Sequence, residues 1–86
     1  MDRPLHRVEI DWVDITGHSG WHDIDDVRDL PLKHMTSVGY LISRANDAYR
    51  IATTISPESS TCGDPLLIPR RVIDNVRMLK IKDYEL

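Results

Sequence analysis

The sequence predicts a mainly β fold, a small five-stranded barrel with one short helix and a single 3-10 turn. Three observations carry that expectation. Apolar and polar residues alternate in several short runs, the mark of half-buried strands. Clusters of Gly, Pro, Asn, Asp and Ser punctuate those runs at short intervals. Only one brief segment has helical spacing. The 86 residues make one small domain, 1–86, with residues 1–5 and 83–86 expected as frayed tails. A domain of this size buries only about 60–65 % of its unfolded surface, so its core is thin.

The first strand lies in "HRVEIDWVDIT", residues 6–16. Val8, Ile10 and Trp12 share one face, while Arg7, Glu9 and Asp11 take the other. After Trp12 the phase slips onto Val13 and Ile15, which calls for a bulge or sharp bend near Trp12. "TGHSG" then supplies turn chemistry. Asp23 is placed to cap a helix over about residues 23–30. Asp26 lies in its first turn, where the helix dipole favours negative charge. Ile24, Val27 and Leu30 form the face expected to lie on the barrel, and Pro31 ends the segment.

Residues 35–56 read as an antiparallel hairpin. Val38, Tyr40 and Ile42 alternate along its first strand, and Tyr49, Ile51, Thr53 and Ile55 along its second. Asn46-Asp47 form the turn. Gly39 inside the first strand marks strong bending or a close backbone approach. "PESSTCGDP", 57–65, is expected as a mobile polar loop. "LLIP", 66–69, is a short strand, and residues 70–74 fit a single 3-10 turn. "NVRMLKIK", 75–82, is the last strand. Closing five short strands into an SH3-like or Sm-like barrel removes the exposed sheet edges. The alternative is an open α+β roll with the helix packed on one face.

Four stretches of this chain carry a resemblance: "GW" after the first strand, "TSVGYLI", "IATTIS" and "GDPLLIPRRVIDNVRML". Together they resemble small proteins of tailed bacteriophages and prophages with an SH3-like, or Sm-like, barrel. The likeness spans residues 8–80. It is most specific in Asp64-Pro65-Leu66-Leu67-Ile68-Pro69, followed by Val72-Ile73-x-x-Val76-x-x-Leu79. It implies a phage origin, action in the cytoplasm of the bacterial host, and a host-takeover or anti-defence role. It assigns no catalytic residue to any position here.

Composition narrows the function classes. A formal net charge of −3 argues against tight, charge-driven nucleic-acid binding, which usually comes with a basic face. The single cysteine, Cys62, has no internal partner, and no zinc-ligand spacing is present. A reducing compartment is therefore expected, and no secretory or membrane-spanning stretch is read. "GHSGW", 17–21, begins like a nucleophile elbow. Trp21 stands where the second glycine belongs, and so short a chain cannot build the large α/β sheet that an elbow needs. Ser19 is read as part of a turn. His18 and His22 lack a third ligand at clear spacing, and Cys62 lacks an activating neighbour. No cofactor and no enzymatic activity are expected.

A binding module remains as the leading expectation, engaging a bacterial host or phage protein. Its candidate surface is Trp21 with the acidic residues Asp23, Asp25, Asp26 and Asp29, together with the 57–64 loop. A first alternative is an Sm-like nucleic-acid-binding barrel using Arg70, Arg71, Arg77 and Lys80. A second is an oligomeric pocket protein that sequesters a small ligand. The chain is acidic early and basic late, which also opens it to self-association into a homo-oligomer.

Overall fold

The structure, a computed structural model, describes residues 5–82. Seven strands and two short helical segments follow one another along the described residues. β1 (Arg7–Asp14) leads through an irregular stretch to α1 (Ile24–Arg28). β2 (Lys33–Arg44) and β3 (Ala48–Ala52) follow, then β4 (Thr54–Ser56), β5 (Thr61–Gly63) and β6 (Leu66–Pro69). A 3-10 turn (Arg70–Val72) leads into β7 (Ile73–Leu79). Five strands form one antiparallel sheet in the order β6-β3-β2-β1-β7, and β4 and β5 form a separate two-stranded sheet.

The core lies on one face of this sheet. Val8 and Ile10 from β1 meet Tyr49 and Ile51 from β3 and Ile68 from β6. Trp12, Leu41, Val72, Ile73 and Val76 pack around them. The slip near Trp12 is a bulge: Asp11 faces Asn75 on β7, and the next residue, Trp12, faces Ile73. The Trp12 indole N–H donates to Ser37 Oγ across 2.9 Å, which satisfies the polar edge of a half-buried ring.

Several expectations are corrected. The sheet does not close into a barrel; β6 and β7 stay at its edges, joined by the 3-10 turn. A cleft of about 250 Å³ lies beside that turn, walled by Tyr49, Arg70, Ile73 and Val76. The helix is shorter than 23–30, and none of its residues is buried, so it packs neither on a barrel nor on a sheet face. The second hairpin strand does not run to Ile55 but breaks at Thr53. The 57–65 segment is not one loop, because Thr54–Ser56 and Thr61–Gly63 pair around a turn at 57–60.

The alternating residues Val38, Tyr40 and Ile42 do not form the buried face of β2, although alternation of this kind reads as one. Val38 and Ile42 are exposed, and Tyr40 is on their side, whereas Gly39 is buried and Ser37 and Leu41 half-buried. The tail expectation for 1–4 and 83–86 lies outside the described residues; Leu5 is half-buried.

Candidate protein-binding surface

Residues 15–32 leave the sheet as an arm. β1 ends at Asp14 and β2 begins at Lys33, so the arm is tethered at two neighbouring strand ends, where Asp14 pairs with Lys33. The described chain measures 54 × 28 × 25 Å, with a radius of gyration of 17.1 Å. A compact chain of this length has about 12 Å. The excess reflects parts that stand away from the core.

Local chemistry shapes the arm. Gly20 adopts a left-handed backbone with φ +88°, a conformation that glycine reaches at little cost. The His22 ring donates from Nε2 to the Ser19 carbonyl at 2.8 Å, which tightens the bend and presents Trp21 at its apex. Asp23 occupies the cap position with extended backbone (ψ 137°), yet its side chain makes no capping hydrogen bond. The first helical bond instead runs from the Val27 N–H to the Asp23 carbonyl, at 3.2 Å. Pro31 prevents the helix from continuing.

Trp21 is fully exposed, at 102 % of its reference surface, and Ile15, Ile24, Val27, Leu30 and Leu32 are exposed too. Burying a side chain such as Ile or Leu is worth about 1.5–3 kcal/mol, and none of these gains the whole of it among the described residues. These exposed apolar side chains fall within one 18-residue segment that also carries charge. That charge is mainly acidic. Asp25 pairs with Arg28 at 2.8 Å, whereas Asp23, Asp26 and Asp29 form no salt bridge with any described residue. Asp26, Val27 and Leu30 line a cleft of about 270 Å³ with Thr16, His18 and His22. The two imidazoles meet edge-on, 6.3 Å between centroids. No group of three or more His, Cys, Asp or Glu among the described residues is placed to hold a metal ion.

The 57–64 segment, the third part of the expected surface, belongs to the β4–β5 hairpin. Ser60 and Asp64 sit at positive φ there, and Cys62 is exposed opposite Ile55.

The basic residues do not converge. Arg70 donates from Nε to the Ala45 carbonyl at 2.7 Å, and its guanidinium lies 5.0 Å over the Tyr49 ring. Arg77 is held by two carboxylates of β1. Its Nη2 reaches Glu9 Oε1 at 2.5 Å and its Nη1 reaches Asp11 Oδ2 at 2.7 Å. Arg71 and Lys80 are exposed, but they flank opposite ends of β7, about 25 Å apart at the rise of a strand. The Arg77 network had a legible signal: Glu9 and Asp11 alternate on one face of the first strand, and Arg77 lies on the matching face of the last. The uncovered apolar arm had none, because its spacing is that of a helix seated on a core.

The chain matches no known protein-family model, no curated protein and no solved structure. No helix among the described residues is long and apolar enough to cross a membrane.

Proposed function

We propose that this chain is a non-enzymatic, phage-encoded binding module that engages a bacterial or phage protein in the host cytoplasm, using the 15–32 arm. The single observation that carries the reading is Trp21, fully exposed at the apex of an arm whose other large apolar side chains are also uncovered. An exposed tryptophan is a strong hot-spot residue because it brings much apolar surface with little conformational freedom to lose. Asp23, Asp26 and Asp29, which lack salt-bridge partners among the described residues, give the surface a preference for a basic rim on its target.

The sheet supports a scaffold role. Its order, β6-β3-β2-β1-β7 with a 3-10 turn joining the edge strands, supports reading it as an opened SH3-like or Sm-like barrel. The phage assignment rests on the resemblance of "GDPLLIPRRVIDNVRML" to small phage proteins. A role as inhibitor of a host or defence function fits a module that carries a recognition arm and little else.

The test is affinity capture from bacterial lysate with the tagged chain, with and without nuclease. A stoichiometric protein is expected to survive nuclease and to be lost with Trp21→Ala and with the charge reversals Asp23→Lys and Asp26→Lys. Capture unchanged by all three substitutions overturns the arm assignment. Material that vanishes with nuclease replaces it with the nucleic-acid reading through Arg70 and Arg71.

A further inference from the structure

β7 is a seven-residue edge strand. One side pairs with β1, and the other has no partner strand among the described residues. It contains no proline, and along Asn75–Leu79 its register to β1 is regular. An edge of this kind is a template for a further strand.

The direction of its free backbone groups follows from the hydrogen-bond alternation of antiparallel sheets. The Leu41 N–H donates to the His6 carbonyl at 2.7 Å, so residue 6 turns its backbone groups toward β2. In the unbroken β1–β2 register, Val8 and Ile10 do the same, and Arg7, Glu9 and Asp11 turn theirs toward β7. Their partners Leu79, Arg77 and Asn75 are therefore spent on β1. Val76 and Met78 point their N–H and C=O groups out of the free edge.

We propose that this edge is a homodimer interface: two copies pair β7 against β7, antiparallel about a two-fold axis through Arg77, merging two five-stranded sheets into one. In this register Val76 of each copy faces Met78 of the other, and all four residues exchange backbone hydrogen bonds in phase. Met78 lies on the core side of the sheet, opposite Val8, yet is 63 % exposed; the second copy's Val76 covers it. Beyond the regular stretch, Asp74, the bulge residue between Ile73 and Asn75, comes near Lys80 of the other copy, just past the end of β7. Among the described residues Asp74 has only a loose ion-pair contact in its own chain, 3.7 Å to His34 Nδ1. The two Arg77 residues meet on the axis on the opposite face, and each is already neutralised by Glu9 and Asp11. Sliding the pairing to the next in-phase register brings Asp74 near Met78 in one direction and Val76 near Lys80 in the other. Either shift loses the charge pair.

The inference is independent of the arm, and its test leaves the arm untouched. The full chain is examined by sedimentation equilibrium. Wild type is expected as a dimer. Met78→Pro removes an outward N–H without touching the β1 ladder, and edge strands tolerate proline there. It is expected as a monomer with an unchanged circular dichroism spectrum. Asp74→Lys is expected to weaken association about a hundredfold by bringing like charges together, and adding Lys80→Asp to restore it. A monomeric wild type, a larger ring, a dimer that survives Met78→Pro, or a swap that fails to restore pairing overturns the proposal. Lysate capture by a monomeric Met78→Pro variant reports on the arm separately.

Discussion

Gly39 on β2 passes directly beneath Ala52 on β3: a Cβ placed on Gly39 would lie 2.8 Å from the Ala52 carbonyl oxygen and 3.3 Å from the Ile51 side chain. The nearest atom is backbone and cannot swing aside, so the two central strands approach this closely only because position 39 has no side chain.

Gly39→Ala should therefore destabilise the domain. The expected cost is about 1–3 kcal/mol, as for other overpacked cores. For a domain of this size each kcal/mol lowers Tm by about 4–8 °C. A melting curve unchanged from wild type would show that β2 and β3 can separate without loss.

The Arg77 network predicts acid sensitivity. Hydrogen bonds from Arg77 and then from Thr36 hold the Asp11 carboxyl below its ordinary value of 3.8. A group depressed on folding stabilises the native state above its unfolded pKa, and that contribution is lost as pH falls through the lower folded value. Stability should thus decline as pH drops below about 4, the ordinary carboxyl range. Asp11→Asn should shrink this part of the pH dependence. Asp47, lowered by Arg50, contributes in the same window and should be replaced in parallel. Denaturant midpoints between neutral pH and the acid limit report the difference. An identical acid slope in Asp11→Asn would refute the assignment.

Core and arm should respond oppositely to the same kind of change. Ile68 is 1 % exposed, and Ile68→Ala is expected to cost about 2–5 kcal/mol. Ile24→Ser and Val27→Ser, on an exposed face, should stay within about 0.5 kcal/mol of wild type. A large loss on either arm substitution, read by urea denaturation, would mean that the arm packs against its own sheet.

The two tryptophans should separate by fluorescence. Trp12 is half-buried and bonded to Ser37, and Trp21 is fully exposed. In a Trp12→Phe background the remaining emission should be red-shifted and freely quenched by iodide. In Trp21→Phe it should be blue-shifted and protected. Equal quenching of both would contradict the exposed apex.

Much of the sheet was legible because its signals are local. The alternation of Val8, Ile10 and Trp12, the slip at Trp12, the Asn46-Asp47 turn and the 3-10 turn at Arg70 all depend on neighbours in sequence. The phase of β2 was not legible. Val38, Tyr40 and Ile42 alternate as a buried face does, but the interior needs a residue without a side chain under Ala52 and a hydroxyl beside the Trp12 indole. Gly39 and Ser37 meet those demands, and the apolar residues between them turn outward. The β4–β5 hairpin was hidden for a related reason: its strands, Thr54–Ser56 and Thr61–Gly63, are short and polar, so they read as loop. For the candidate surface, the sequence named Trp21 and the aspartates as candidates. Whether Ile24, Val27 and Leu30 were covered depended on where the arm stands in space, which spacing does not encode.

The arm's aspartates have a consequence for the molecule in bulk. Four aspartates and one arginine in residues 15–32 account for the whole formal net charge of −3, so the acids and bases of the remaining chain cancel. Colloidal repulsion between molecules near neutral pH thus originates in one projecting segment, and a body without net charge has little to keep it dispersed. A partner that neutralises the arm would remove that repulsion as it binds. The complex should then salt out more readily than the free protein, and clipping the arm should have the same effect.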